Sequence, residues 1–429
     1  PVHPTPTQAI GTSTRSALPW TQSASRFKAH LSHFIKLFLR DAYYLELLRM
    51  FARRYEGNKS RGEATKAFEI ERANMEAGQS WAVANVKASH AAARLVIGYA
   101  ITGVEMMTSV LAPSQLISWL EGALLACHEL NSRSEEANVL GNLGIAWIKQ
   151  GDPRRALPYL ERCIEGARAV RETTVLASAL GALGLAYSSL GDTTKAIECY
   201  EQNLAVARGV GDQSSEANAV GNLGLAYASI GNVRLAAEYF ERHRAMARAL
   251  SDRRAEANAI GNLGLLYAST GDERAIALLQ EHLSIVREQG DRRGEASALS
   301  NLGNAMFSRG DVAQATTFYE EALVVARQLG DRLQEGRLIG NIGNVYLAVG
   351  EGAAAIDAYA QQIAMSRLVG DRRGEANALW NSALAHESIG ERLSAIEHAT
   401  QALQLRRQLK DPSAAKTAQW LREREADET

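Results

Sequence analysis

The stretch Gly211–Gly231, GDQSSEANAVGNLGLAYASIG, decides how the chain is read. Its second half returns as GNLGLLYASTG from Gly261, NLGNAMFSRG from Asn301, NIGNVYLAVG from Asn341 and NSALAHESIG from Asn381. Asn222, Asn262, Asn301, Asn341 and Asn381 stand 40, 39, 40 and 40 residues apart. Asn142 lies two periods before Asn222, and Ala182 fills the position between. Self-similarity at such a period marks a solenoid, in which each unit packs on its neighbours. A core that grows in one dimension exempts the 429 residues from the usual count of globular domains.

Working outward, seven regular units run over 134–411. Each has a first helix such as Glu216–Ile230, a tight turn at a glycine such as Gly231, and a second helix such as Val233–Leu250. Glycine ends a helix at least cost because it accepts a left-handed backbone. Gly-Asp pairs at Gly211-Asp212, Gly290-Asp291, Gly330-Asp331 and Gly370-Asp371 join units, the aspartate placed to cap the next helix. Glu216, Glu256, Glu295, Glu335 and Glu375 fall in first turns, where the helix dipole favours negative charge.

The flanks differ. Residues 1–26, rich in Pro, Thr and Ser, read as a disordered tail or linker. Residues 27–82 read as N-terminal helices, interrupted at Gly57–Gly62. They carry a basic excess that includes Arg40, Arg49, Arg53, Arg54 and Arg61, read as a solvated face rather than a surface for an anionic partner. Residues 83–133 read as a degenerate capping repeat, with an alanine-rich helix over Val86–Thr102 and a second over Pro113–Leu130, Trp119 and Leu120 facing the core. Residues 412–429 read as a closing helix with Ala414, Ala418 and Leu421 on one stripe.

Composition narrows the function. Alanine and leucine outweigh β-branched and aromatic residues, which favours helix over sheet. A formal net charge of −1 provides no global field for nucleic acid or an anionic membrane. The most apolar run, Leu95–Val104, is about half a bilayer span. Three cysteines without a C-x-x-C pair, Cys127, Cys163 and Cys199, suit buried thiols in a reducing cytoplasm.

The units resemble tetratricopeptide repeats in their longer form, as in kinesin light chains and the spindle-orientation adaptors. Leu223, Gly224 and Tyr227 on the first helix, with Ala236 and Phe240 on the second, carry the resemblance. It spans about two thirds of the chain, and Ala383 departs from the glycine pattern in the last unit. The resemblance implies an all-α, right-handed superhelical solenoid of antiparallel helix pairs, with first helices lining a concave groove. More loosely, YYLELLRMFARRYEG, FEIERANMEAGQSWA and LISWLEGALLACHEL look like the start of the repeat sensor in bacterial signal-transduction ATPases. That likeness implies an ATPase module in cis or trans. The chain's own GNKSRG is followed by Glu63 where a phosphate loop requires lysine, so no ATP binding is expected.

Positions four, seven and eleven residues along a first helix share a face. On that face stand Asn142, Asn218, Asn222, Asn258, Asn262, Asn301, Asn304, Arg337, Asn341, Asn344, Asn377 and Asn381. A carboxamide offers donors and an acceptor, so such a ladder can match the backbone of an extended peptide without reading its sequence. The same asparagines can instead bond to neighbouring helices, and the residues leave both readings open. His243 and His282, one repeat apart, lack a third ligand for a metal and read as packing or partner contacts. No catalytic grouping stands out and no cofactor is expected. The expected role is a cytoplasmic peptide- or protein-binding sensor or scaffold of a bacterial signalling system. A small-molecule sensor using Arg337 and Trp380 is the alternative, and an enzyme a remoter one.

Overall fold

The computed structural model describes residues 33–56 and 61–426. The expected tail over 1–26 and the break at 57–60 lie outside the described residues. Those described form twenty α-helices and no strand. They gather into two compact units, one ending at Val206 and the other beginning at Ala207.

The first unit holds α1 (His33–Glu56), α2 (Arg61–Ala84), α3 (His90–Ile101), α4 (Val104–Val110) and α5 (Pro113–Leu130). Then come α6 (Arg133–Lys149), α7 (Pro153–Val170), α8 (Thr173–Ser189) and most of α9 (Thr193–Val210). Leu48, Phe68, Met75, Tyr99, Trp119 and Leu120 are buried in one core, where the Tyr99 ring meets Trp119 edge-on at 6.2 Å. The alanine-rich helix starts later than its periodicity suggests. Ser89, in extended backbone, accepts a hydrogen bond from the Ala92 N–H and caps α3, a position where serine competes well against helix interior. The short α4 was not anticipated; it follows Gly103 at φ 64° and buries Met106 and Met107.

The second unit runs through α10 (Gln213–Ser229), α11 (Val233–Ala249), α12 (Arg253–Thr270), α13 (Arg274–Glu288), α14 (Arg292–Ser308) and α15 (Val312–Leu329). It closes with α16 (Arg332–Ala348), α17 (Gly352–Val369), α18 (Arg372–Ser388), α19 (Arg392–Gln408) and α20 (Ser413–Ala426). Each helix packs on its neighbours in sequence, so the unit is a stack of antiparallel helix pairs. The even-numbered first helices, α10 to α18, also touch the next first helix, whereas the second helices do not pack on one another to that extent. First helices therefore form the tighter layer of this unit. Pairs close tightly at small residues: a Cβ on Gly224 would lie 2.6 Å from the ring of Phe240, which is itself 1% exposed. At the last pair Leu421 of α20 is buried, and Trp420 meets Trp380 edge-on at 5.5 Å.

The helix starts do more than the sequence suggests. Asp212, Asp252, Asp291, Asp331 and Asp371 each accept a backbone N–H in the following first turn, as expected of N-caps. The first-turn glutamates are not merely facing the dipole. Arg248 and Arg253 bond to Glu256, Arg287 and Arg292 to Glu295, and Arg327 and Arg332 to Glu335. These carboxylates are 4%, 9% and 7% exposed and their arginines about half-exposed. Each clamp ties the last turn of one helix pair to the first turn of the next. The Arg248 hydrogen bond, with Arg253, holds Glu256 below the usual carboxylate range despite burial. For Glu295 and Glu335 burial acts upward most strongly, and the paired arginines together outweigh it. Glu335→Ala is expected to cost about 1–2 kcal/mol in urea unfolding, discounted because both arginines regain water. Glu375→Ala should cost less, since among the described residues Arg367 alone bonds that carboxylate.

Candidate binding groove

All the sequence-predicted site residues except Asn142 line two cavities on the first-helix face of the second unit. Asn142 lies in the first unit, where it donates to Asn138 one turn back at 2.9 Å. One cavity, of about 370 Å³, is lined by Asn218, Asn222, Asn258, Asn262, Leu225, Leu265, His243 and His282, with Asn301 at its end. The other, of about 520 Å³, takes Asn301, Asn304, Arg337, Asn341, Asn344, Asn377 and Asn381. It adds Gln334, Gln362 and Arg373, which the sequence reading missed. Asn301 belongs to both, so the polar face is continuous.

The ladder divides into two kinds of rung. In the larger cavity Asn341 donates to Asn304 at 3.3 Å and Asn381 to Asn344 at 3.1 Å, each reaching the preceding first helix. Asn304 and Asn344 also accept from the buried hydroxyls of Tyr319 and Tyr359, at 2.8 and 2.7 Å. For these four the bonding to neighbouring helices is real. Asn222, Asn262 and Asn301 differ: their side chains, half-buried, bond to no other described residue. Their donors and acceptors remain available to a partner. Ser229, Ser269 and Ser388 give their hydroxyl protons to carbonyls of their own helices, which leaves only their acceptor lone pairs for a partner.

Beneath the asparagines an exchange of volume sets the groove floor. Gly221 faces His243, Gly261 faces His282, and Gly340 faces Gln362; a Cβ would come within 3.0, 3.0 and 2.2 Å of those side chains. Where the second helix carries Ala322 or Ala402, the first helix carries Ser300 or Trp380 at the matching position. Second-helix polar groups thus reach the groove through slots that only glycine leaves open. His243 is 7% exposed and Gln362 8% exposed. Neither ring nitrogen of His243, nor His282 Nδ1, nor Gln362 Oε1 has a hydrogen-bond partner among the described residues.

Several alternatives lose ground here. Trp380 does not line either cavity; it is covered by Trp420 and by the Arg406 guanidinium, 5.3 Å from its ring. That removes the aromatic half of the small-molecule site the sequence suggested. The three cysteines are buried and free, and burial pushes their thiols up to about 12 for Cys127 and about 11 for Cys163 and Cys199, which keeps them protonated. Among the described residues no group of three His, Cys, Asp or Glu side chains could hold a metal ion, and no helix is long and apolar enough to cross a membrane.

Comparison with known proteins agrees with the geometry. Tetratricopeptide repeat models match residues 137–171, 175–249, 255–328 and 338–373. No curated protein matches the chain in sequence. Among solved structures, aspartyl phosphate phosphatase F from Bacillus subtilis is similar at 12% identity and a TM-score of 0.55, covering 88% of this chain and 95% of that one. A signal-transduction ATPase with a tetratricopeptide repeat sensor, from Pyrococcus horikoshii, is 13% identical with a TM-score of 0.53, over 97% of this chain and 67% of that one. A Rap protein complexed with competence and sporulation factor is 13% identical with a TM-score of 0.51, over 77% and 98%. At such identities the likeness is one of fold. With repeat models covering four stretches and paired helices along each unit, the chain belongs to the tetratricopeptide repeat family.

Proposed function

We propose that the chain is a non-catalytic recognition module that binds an extended protein segment along the first-helix face of its second unit. The observation that carries this reading is the set of unengaged carboxamides, Asn222, Asn262 and Asn301, along one continuous polar face. A folded partner surface satisfies its own backbone, whereas an extended segment presents N–H and C=O groups that need partners. Repeat proteins use such faces for extended ligands, and a Rap protein of similar fold has been crystallised with competence and sporulation factor. The role is that of a sensor or scaffold in a bacterial signalling system, in a reducing cytoplasm that suits three free cysteines. An ATPase module in cis or trans is a partner compatible with the Pyrococcus horikoshii neighbour.

A peptide enriched from a randomised display library should slow amide hydrogen exchange in α10, α12, α14 and α16. It should leave the outer turns of α11, α13 and α15 unchanged. A footprint confined to second helices, or no enriched peptide at all, would overturn the proposal.

A further inference from the structure

We propose that His243 and His282 form a charge-excluding subsite that selects, within the bound segment, an uncharged stretch bearing an aliphatic side chain. This rests on the peptide-binding reading above and assigns the chemistry of one part of that site.

Three observations converge on the smaller cavity. First, no Asp, Glu, Lys or Arg lines it, in contrast to the larger cavity with Arg337, Arg373 and Asp371. An ion brought into this enclosure would shed water without meeting an opposite charge. Second, Leu225 and Leu265 stand at its mouth 50% and 41% exposed, at the positions occupied by Asn304 and Asn344 in the larger cavity. Apolar surface there suits an aliphatic side chain of the ligand. Third, His243 is more than nine-tenths buried with both ring nitrogens unpartnered, and His282 Nδ1 is unpartnered too. A buried polar atom without a partner is costly, and both rings reach the cavity through the slots at Gly221 and Gly261. A neutral imidazole presents one donor and one acceptor, which matches a peptide group rather than an ion.

The charge state follows from the surroundings. Burial lowers the pKa of both histidines; the carboxylates of Asp252, which caps α12, and Asp291, which caps α14, act weakly in the opposite direction. The residues of α10, α12 and α14 that line the cavity beside the rings are asparagine, glycine and leucine. An uncharged ligand that covers the cavity deepens the burial and lowers the pKa further. Binding then expels protons, so affinity must weaken as pH falls through the free protein's histidine ionisation. An acidic ligand residue would pair with imidazolium, raise the pKa and reverse the sign.

The test uses the full chain and a peptide enriched from a randomised twelve-residue display library, titrated between pH 8 and pH 5. Enriched sequences should share an uncharged aliphatic stretch, and the dissociation constant should rise several-fold on acidification. In His243→Gln/His282→Gln the pH dependence of affinity should flatten, since glutamine does not titrate. Glutamine suits the slot because Gln362 already occupies the equivalent one opposite Gly340. Arg337→Ala/Arg373→Ala, in the other cavity, should leave the aliphatic preference and the pH profile intact. Affinity that rises on acidification, an enriched charged residue whose selection depends on the histidines, or a pH profile unchanged in the glutamine variant would overturn the subsite. No enriched peptide would instead sink the peptide-binding reading itself.

Discussion

Truncating Tyr359 to alanine is expected to destabilise the second unit by about 3–5 kcal/mol, the range for removing a buried aromatic ring. The ring has no solvent-exposed surface and packs with Ala355 and Ala385. It sits so close to α16 that a Cβ on Gly343 would lie 2.8 Å from it. Its hydroxyl, kept protonated by burial, donates to Asn344 at 2.7 Å, and Asn344 in turn accepts from Asn381. Tyr359→Phe keeps the ring and removes one hydrogen bond, so about 1 kcal/mol is expected. Urea unfolding followed by circular dichroism separates the two variants. A loss under about 1 kcal/mol for the alanine variant would mean that the ring does not hold α16 and α17 together.

The comparison of these variants bears on the groove as well as on the core. Tyr319 and Tyr359 are second-helix residues whose hydroxyls fix the groove-facing Asn304 and Asn344. Packing and recognition are therefore coupled in the larger cavity, where Asn304, Asn341, Asn344 and Asn381 are already bonded within the protein. In the smaller cavity they are separated. Asn222 and Asn262 have no comparable anchor, and the groups beneath them, His243 and His282, are themselves unsatisfied. The two halves of one polar face thus differ in how much hydrogen-bonding capacity they hold in reserve.

What was legible in the sequence was what depends on local pattern. The period gave the paired helices, Gly224 and Phe240 gave their close approach, and Asp212 and its equivalents gave the caps. The clamps were missed because their arginine and glutamate stand eight residues apart across a turn, a spacing that no helix face produces. The repeated pair was visible at Arg208/Glu216, Arg248/Glu256, Arg287/Glu295, Arg327/Glu335 and Arg367/Glu375, but a dipole argument was enough to explain the glutamates alone. The bonds from Asn341 to Asn304 and from Asn381 to Asn344 cross 37 residues. They depend on how closely first helices stack, which periodicity does not specify. The exchange of glycine and histidine at Gly221/His243 and Gly261/His282, against Ser300/Ala322, is also written in the sequence. It becomes meaningful only once the facing positions are known.

The central claim, that unengaged asparagines of the second unit hold a partner's backbone, is tested most directly in Asn222→Ala/Asn262→Ala. Affinity for the enriched display peptide would be measured by calorimetry, and thermal unfolding by circular dichroism on the same preparations. Because neither side chain bonds to another described residue, and alanine is the better helix former, the melting temperature should barely move. Binding should weaken by about 1–3 kcal/mol, roughly fivefold to 150-fold, as the partner's buried N–H and C=O groups lose their counterparts. Asn341→Ala/Asn381→Ala serves as the contrast, since those side chains bond to Asn304 and Asn344 and their loss should lower stability as well. A melting shift of several degrees in Asn222→Ala/Asn262→Ala, with affinity per folded molecule unchanged, would contradict the account and place the binding face elsewhere.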